Sequence, residues 1–456
     1  MAEQRKSIHG QWTNRTVFIL AATGSAVGLG NIWKFPYIAG ENGGGTFVLV
    51  YLLCIALIGL PIMMAEIMLG RRGKQSPINT MAALAKDEQR NPGWVWLGWM
   101  GVLAGFLILS YYSVIAGWAM SYVFRTGGGL FLGVTADGVN SIFTDLVTDP
   151  ERLMAWHTLF MVMTMIVVAR GVKHGIERAV TYLMPLLFAL LIIIVIYSVT
   201  TGHFMEGVRF LFTPGKIDGK AILIAMGHAF FTLSLGMGAI MVYGSYLSNK
   251  HSIAQASILI ALADTVVALL AGLAIFPIVF ANGLEPGAGP GLIFQTLPIA
   301  FGHMQGGTLV GVVFFTLLVF AAWTSAISLI EPAVAYLVEN KGVNRIYASV
   351  WIGFLTWFVG LGTVFSFNIW KEKTLTIPFL FEDLTFFDVL DYLTANIMLP
   401  LGGLFIALFA AWVMKEKSTR EELATYPWLY KIWNFLTSFV TPLAVIVVFL
   451  KAIGVI

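Results

Sequence analysis

The stretch GSAVGLGN, residues 24–31, lies in the middle of an apolar segment that runs roughly from residue 16 to residue 40. Three glycines and an asparagine weaken a helix there, although a helix is the conformation that satisfies its own backbone groups in lipid. The stretch therefore predicts a membrane helix that is broken near mid-depth. Gly24 and Gly28 also form a GxxxG packing motif, so on this stretch alone close helix packing is the alternative interpretation.

A second stretch of the same character, FTLSLGMG at residues 231–238, interrupts the apolar segment 222–247. Corresponding breaks in the first and sixth spans are typical of an inverted repeat of five plus five helices, with a binding site between the unwound segments. We expect residues 1–200 to form the first repeat and residues 222–413 the second. Helix 433–453 would lie outside both.

The composition of the whole chain indicates an all-α polytopic membrane protein. Of its 456 residues 58% are hydrophobic and 11% are charged, and the mean hydropathy is +0.84. Segments of about 17 to 25 apolar residues are long enough to cross the hydrocarbon layer. We predict eleven such spans, at residues 16–40, 46–69, 95–124, 153–170, 178–200, 222–247, 253–282, 306–338, 346–367, 390–413 and 433–453. Segment 283–305 is too short and predicts a re-entrant or capping loop.

The charges predict an orientation. With the N-terminus in the cytoplasm, about two thirds of the 27 Lys and Arg residues fall on the cytoplasmic side, as the positive-inside rule requires. An odd number of spans then places the C-terminus outside. No basic run is interleaved with aromatic residues, so nucleic-acid binding finds no support, and the single cysteine, Cys54, excludes an intrachain disulfide.

Several spaced motifs together resemble the neurotransmitter:sodium symporter family, especially its bacterial LeuT-type amino-acid transporters. They are GSAVGLGN at 24–31, KFP at 34–36, ENGGG at 41–45, Tyr111-Tyr112, FTLSLGMG at 231–238, and Thr324-Ser325 followed by Glu331-Pro332. The resemblance covers all ten core helices. It implies the LeuT-like fold, a multi-pass protein of the bacterial inner membrane, and no enzymatic activity.

The resemblance implies two sodium sites. The matching positions of the first are Ala26, Asn31, Thr232 and Asp264, with the carboxylate of the substrate as a further ligand. Those of the second are Gly24, Val27, Ala321, Thr324 and Ser325. Oxygen ligands of these kinds suit a hard cation. Without the family, Thr324 and Ser325 would be interpreted as hydroxyls that bond back to their own helix.

The same correspondence implies a pocket for an L-amino acid. Leu29, Gly30 and Tyr112 would hold the carboxylate, and the side chain would be surrounded by Ile108, Phe231, Ser234, Met237, Ala326 and Leu329. Gly28 matches the position where monoamine carriers have an Asp, which favours a substrate with its own carboxylate. Met237 and Ala326 predict a larger or more tolerant apolar pocket, since a thioether packs flexibly.

Asp264 matches a position where Asn is usual in the family, and an acid at membrane depth indicates a function. We hypothesise that it supplies negative charge to the first sodium site, so that chloride is not required. A protonated or capping Asp is the alternative. His228, one helical turn before Thr232, is interpreted as a structural hydrogen-bond partner of Asp264 or Tyr51, with proton coupling as the alternative.

Gate positions follow from the resemblance as well. Lys34 and Asp391 match the outer pair, where Arg is usual in place of Lys, and Asp388 is a nearby alternative. Positions of the inner gate are matched by Trp12, Ser245, Tyr246, Glu331 and Glu339. The expected arginine before Trp12 is absent and His9 takes its place, with Arg5 and Lys6 nearby, so the basic partner of the inner gate is left open.

The sequence thus predicts a symporter that imports hydrophobic or aromatic L-amino acids with sodium by alternating access. Proton coupling, another amino-acid class, and a sensor that binds without transporting are the alternatives. The preferred amino acid and the sodium stoichiometry do not follow from the sequence.

Overall fold

A computed structural model describes residues 5, 7–215, 219–287, 291–377, 381–423 and 426–452 of the chain. Within these ranges the protein is almost entirely helical. Its helices, in chain order, are α1 (Arg15–Ala26), α2 (Gly30–Glu41), α3 (Gly45–Gly73), α4 (Pro77–Asp87), α5 (Pro92–Gly127), α6 (Ala136–Val147), α7 (Pro150–Ala169), α8 (Val172–Val199), α9 (Phe204–Phe212), α10 (Gly219–Thr232), α11 (Ala239–Ser245), α12 (Ile253–Ala281), α13 (Leu292–His303), α14 (Gly307–Lys341), α15 (Arg345–Ser366), α16 (Phe386–Val413), α17 (Glu416–Leu423) and α18 (Pro427–Lys451).

Nine of the described helices are long and apolar enough to cross a membrane, namely α3, α5, α7, α8, α12, α14, α15, α16 and α18. The bent pair α1–α2 passes the same test as a tenth span, and α10 with α11 occupies the segment predicted as the sixth. The eleven predicted segments thus correspond to these elements. Helix α13 lies in segment 283–305 and is too short to span a membrane, as predicted for this segment.

Both predicted breaks are present. Helix α1 ends at Ala26, the next residue is extended, and α2 restarts at Gly30 with its axis bent by 51°. Between α10 and α11 the backbone turns through left-handed conformations at Ser234, Gly236 and Gly238, with φ of 53°, 79° and 75°. Glycine adopts such angles without a steric cost, which explains two of the three residues. Each break leaves carbonyl and amide groups without partners in their own helix.

The broken helices lie at the centre of the bundle. Helix α1 packs against α12, α14 and α8, and α11 packs against α3. Helices α5 and α14 also pack along each other. One feature was not predicted: Leu375–Ile377 and Phe381–Leu384 form an antiparallel hairpin of two strands, β1 and β2, before α16.

Candidate functional site

The carboxylate of Asp264 in α12 gathers polar groups from three other elements at the first break. Asn31 Nδ2 donates to Oδ1 at 2.7 Å and to the backbone carbonyl of Asp264 at 3.1 Å. The hydroxyl of Thr232, the last residue of α10, lies 3.2 Å from Oδ2, and the Tyr51 hydroxyl lies 3.3 Å from it. All four residues are fully buried. The arrangement brings three of the predicted ligands of the first sodium site together around one acid.

A second group of oxygens lies where α1 ends against α14. The hydroxyl of Ser325 is 3.2 Å from the carbonyl oxygen of Gly24 and 3.1 Å from those of Ser25 and Val27. Thr324 Oγ1 lies 3.1 Å from the carbonyl oxygen of Ala321 and also bonds back to Phe320 at 3.2 Å. The carbonyls that the break frees therefore converge on a hydroxyl of a neighbouring helix.

A small cavity between the two breaks has eight of the nine predicted substrate residues in its wall. The described residues that line it are Ser25, Ala26, Gly28, Leu29, Gly30, Ile108, Tyr112, Phe231, Ser234, Met237, Ser325 and Leu329. The backbone N–H of Leu29 donates to the Tyr112 hydroxyl at 3.1 Å. Ala326 is fully buried in α14 and is not among these residues. The cavity of about 20 Å³ has room for about one water molecule.

Two hydrogen bonds to other helices hold the second break in place. Ser234 Oγ donates to the carbonyl of Ser25 at 2.8 Å, so the two breaks bond to each other. Glu66, fully buried in α3, accepts from the N–H of Gly236. Since this amide has no helical partner, the carboxylate takes the place of the missing turn.

A larger cavity of about 370 Å³ lies on the other side of Phe231 and Tyr112. Lys34 and Asp391 form part of its wall, and Lys34 Nζ lies 3.3 Å from Asp391 Oδ1. The same ammonium group lies 4.1 Å from the centre of the Phe231 ring. Asp388, the other candidate for this pair, instead accepts bonds from the N–H and the hydroxyl of Thr385 and caps α16.

The opposite end of the bundle is closed by the segment before α1. Trp12 donates from Nε1 to the carbonyl of Tyr243 at 2.9 Å and from its backbone N–H to that of Tyr246 at 3.1 Å. The Tyr246 hydroxyl donates to Glu331 Oε1 at 2.7 Å, and Arg345 pairs with the other oxygen of Glu331. Ser245 bonds back to Val242 in its own helix.

Glu339, near the end of α14, is held separately. Its oxygens accept from the N–H and the hydroxyl of Ser76 at 2.8 and 2.6 Å and from Asn79 Nδ2 at 2.8 Å. His9 Nε2 lies 3.1 Å from Glu339 Oε1. Arg5 is occupied elsewhere, because its guanidinium makes two contacts with Asp87 at 2.7 and 2.9 Å. Lys6, which was also considered as the basic partner, lies outside the described residues.

Comparison with known proteins assigns the family. The family model described as the Sodium:neurotransmitter symporter family matches residues 9–128 and 144–456. The sodium-dependent transporter YhdH from Bacillus subtilis is 39% identical over 462 residues, which cover all of this chain and 99% of that protein. A sodium-dependent transporter from Haemophilus influenzae is 34% identical, and the alignment covers 96% of this chain and 97% of that protein.

The chain belongs to the sodium:neurotransmitter symporter family. Its members are transporters and not enzymes, and the chain is a sodium-dependent symporter. Among solved structures, that of MhsT in complex with L-phenylalanine superimposes with a TM-score of 0.88 at 44% identity, covering 97% of this chain and 99% of that one. This match confirms the LeuT-like fold with its two broken helices.

One interpretation of a residue in this symporter is wrong. His228 was expected to hydrogen-bond with Asp264 or Tyr51, but neither of its ring nitrogens has a hydrogen-bond partner among the described residues. The imidazole instead packs between the rings of Phe35, Phe47 and Tyr51, with centroid distances of 5.4 to 6.0 Å. The Tyr51 hydroxyl is already directed at the carboxylate, so it does not reach the histidine.

The sequence interpretation of the symporter missed several contributors. Arg345 was assigned no role from the sequence, yet it pairs with the buried Glu331. Ser25 donates to Ser328 at 2.7 Å and thereby ties α1 to α14 beside the second oxygen group. A charged residue at the start of a span and serines in an apolar helix were the available signals, but neither signal identifies a partner.

Proposed function

We propose that this symporter imports hydrophobic or aromatic L-amino acids with two sodium ions, by alternating access and without chloride. The observation that carries the proposal is the convergence of three freed carbonyls of the first break on the hydroxyl of Ser325, at 3.1 to 3.2 Å. Such a group of neutral oxygens matches the preference of a hard, singly charged cation.

The carboxylate of the substrate would bind at the restart of the first broken helix. Unpaired amides at a helix N-terminus attract an anion, and the N–H of Leu29 already points to the Tyr112 hydroxyl. Gly28 leaves no space for an acid that could pair with an amine. A Cβ at this position would come within 2.5 Å of Ser325 Oγ and 2.7 Å of the Tyr112 hydroxyl oxygen.

The side chain of the substrate would face an apolar wall. Ile108, Phe231, Met237 and Leu329 contribute apolar side chains to the wall of the small cavity. The cavity must expand to admit any amino acid, and the flexible thioether of Met237 is suited to such a change. MhsT, at 44% identity, was crystallised with L-phenylalanine, which supports an aromatic substrate here.

Asp264 would give the first sodium site its charge. Two of its neighbours, Asn31 and Thr232, carry oxygens that could ligate an ion in company with the carboxylate and the Ala26 carbonyl. A fixed acid balances the positive ion in a buried site, and a mobile anion is then not needed. This is the physical basis for expecting transport without chloride.

Sodium at the second site would link ion binding to the opening and closing of the gates. An ion shared by Gly24, Val27, Ala321, Thr324 and Ser325 would tie α1 to α14. The cavity of about 370 Å³ on the Lys34 side, together with the closed Trp12 side, fits a state in which the substrate enters from outside. We assign the Trp12 side to the cytoplasm, which puts the C-terminus outside the bacterial inner membrane.

The test is uptake of radiolabelled phenylalanine, tryptophan, tyrosine, leucine and alanine into proteoliposomes under an inward sodium gradient. We expect accumulation that requires sodium, prefers the larger apolar substrates and persists when gluconate replaces chloride. A parallel series with only a proton gradient examines proton coupling. Uptake driven by protons alone would overturn the sodium sites, and binding without accumulation would favour a sensor.

A further inference from the structure

The segment that closes the Trp12 side has a histidine where the family resemblance predicts an arginine. His9 and Glu339 are joined between Nε2 and Oε1 at 3.1 Å, and their side chains are 3% and 7% exposed. The imidazole also contacts the ring of Tyr246 edge-on, at 5.8 Å between centroids. His9 is therefore built into the closed end of the bundle and is not a mobile surface residue.

The histidine contact completes a clamp on Glu339. Ser76 and Asn79, from the connection after α3 and from α4, donate to the same carboxylate. These neutral donors fix Glu339 against α4, while His9 is the residue that connects Glu339 to the described part of the segment that leads into α1. Loss of the histidine contact would release that segment from α14 without releasing Glu339 from α4.

The charged and titratable groups facing His9 can be named. Glu339 faces it from α14, and Tyr246 faces it from the end of α11. Behind the Tyr246 hydroxyl lie Glu331 and Arg345, which pair with each other. On its own segment Arg5 is paired with Asp87 of α4. Among the described residues, one carboxylate, that of Glu339, is thus the charged partner of the imidazole.

Another titratable side chain, that of Lys74, lies near this end. Lys74, two residues before Ser76, bonds to the carbonyl of Leu247. Burial, followed by the neighbouring charge of Arg71, lowers the pKa of Lys74 to about 8. An experiment that varies the pH must therefore distinguish the effect of His9 from that of Lys74.

We propose that His9 is the basic member of the inner gate, and that its protonation from the cytoplasm determines how firmly this gate closes. The inference rests on the proposed function, because it takes the Trp12 side as cytoplasmic. A guanidinium is charged at every physiological pH, whereas an imidazole changes its charge near neutrality. The charged form makes an ion pair with Glu339, and the neutral form retains at most an ordinary hydrogen bond, which is weaker.

The direction of the effect follows from these charges. Acidification of the cytoplasm strengthens the contact and holds the gate closed, and alkalinisation weakens it and favours opening. Since uptake requires the cytoplasmic side to open in each cycle, turnover should rise with cytoplasmic pH wherever this opening is slow. Entry of the amino acid would thus slow when the cell interior becomes acidic.

The decisive experiment is hydrogen exchange of the purified protein in nanodiscs, measured at about pH 6 and about pH 8 and corrected for the intrinsic exchange rates. We expect protection of residues 7–15 to fall by about fivefold to tenfold over this range in the wild type. The His9→Arg variant should keep the high protection at both values. Residues 136–147 of α6, far from the gate in the chain, provide the internal reference.

Sodium-driven uptake by the same two proteins, with both faces at one pH, provides the functional arm. The ratio of the wild-type uptake rate to the His9→Arg uptake rate should rise several-fold between about pH 6 and about pH 8. Because Lys74 is present in both proteins, a contribution from this lysine cancels in the ratio. Glu339→Gln is the second variant, and it should also lose the pH dependence of protection.

Failure of this inference and failure of the proposed function would give different results. Equal pH profiles of protection in the wild type and His9→Arg would overturn the inference, and so would a pH-dependent Glu339→Gln protein if His9→Arg fails to fold. Absence of sodium-driven uptake by the wild type at every pH would instead contradict the proposed function. The exchange experiment would still report on the His9–Glu339 contact in that case.

Discussion

Asn31 and Asp264 are joined across the first break by two hydrogen bonds, from Asn31 Nδ2 to the Asp264 carboxylate at 2.7 Å and to its backbone carbonyl at 3.1 Å. The amide oxygen of Asn31 meanwhile accepts from the N–H of Gly28 at 3.1 Å. One side chain thus bonds both to the broken helix and to α12. A change at Asp264 should therefore alter the conformation of the break itself.

Asp264→Asn keeps the shape and removes the negative charge. We expect the sodium concentration for half-maximal uptake to rise by at least about 30-fold, since removing one partner of a buried charge pair costs about 2 kcal/mol or more. Sodium titrations of substrate binding measure this change. Ser257→Ala, a buried change earlier in the same helix, is the control and should leave the titration unaltered. An unaltered Asp264→Asn protein would refute the charge hypothesis.

Ser325→Ala removes the hydroxyl on which the carbonyls of the first break converge. The loss of one polar contact to an ion, worth about 1.5 kcal/mol, should weaken apparent sodium affinity about tenfold, with the ranking of substrates unchanged. Thr164→Ala is the matched control, because its hydroxyl bonds to Phe160 in its own helix. If both variants bind sodium like the wild type, Ser325 is not a ligand.

Gly28→Ala should abolish most uptake. The added methyl group would lie 2.5 Å from Ser325 Oγ and 2.7 Å from the Tyr112 hydroxyl, in the wall of the cavity between the breaks. Overpacking of this kind costs about 1 to 3 kcal/mol, so we expect at least about a fivefold loss of substrate affinity. A Cβ at Gly227 would meet nothing within 4 Å, so Gly227→Ala serves as the control. Normal affinity in Gly28→Ala would argue against a tightly fitted carboxylate site.

Lys34→Arg tests the outer pair. Lys34 reaches Asp391 through a single contact at 3.3 Å, and both side chains are partly exposed. A guanidinium can make two parallel bonds to a carboxylate, so the pair should open less often. We expect the association rate of the substrate to fall by about threefold to tenfold, as measured by stopped-flow binding. Lys371→Arg, on the exposed turn after α15, is the comparison and should bind at the normal rate.

The sequence could predict the spans and both breaks because apolar length and interrupted glycine-rich stretches act locally. It placed Asn31, Thr232 and Asp264 as neighbours only through the family resemblance, since they come from three elements. Contacts such as Glu66 with Gly236 or Arg345 with Glu331 depend on how distant helices pack. A residue pattern along one helix does not carry that information.

The error at His228 has a similar origin. A histidine one turn from Thr232 was expected to reach the polar cluster, but which way a side chain points depends on the aromatic residues around it. Phe35, Phe47 and Tyr51 surround the imidazole, and these residues lie on two other helices. The hairpin β1–β2 was missed because its strands are short and exposed, without the alternation that marks a buried sheet.

Phe231 belongs to the walls of both cavities, and its ring also lies beneath the ammonium group of Lys34. A substrate that pushes against this ring would change the distance between Lys34 and Asp391 without touching either residue. The size of the bound substrate would then affect how readily the Lys34–Asp391 pair opens. Amino acids of different size should consequently differ in how fast they are carried more than in how tightly they are held.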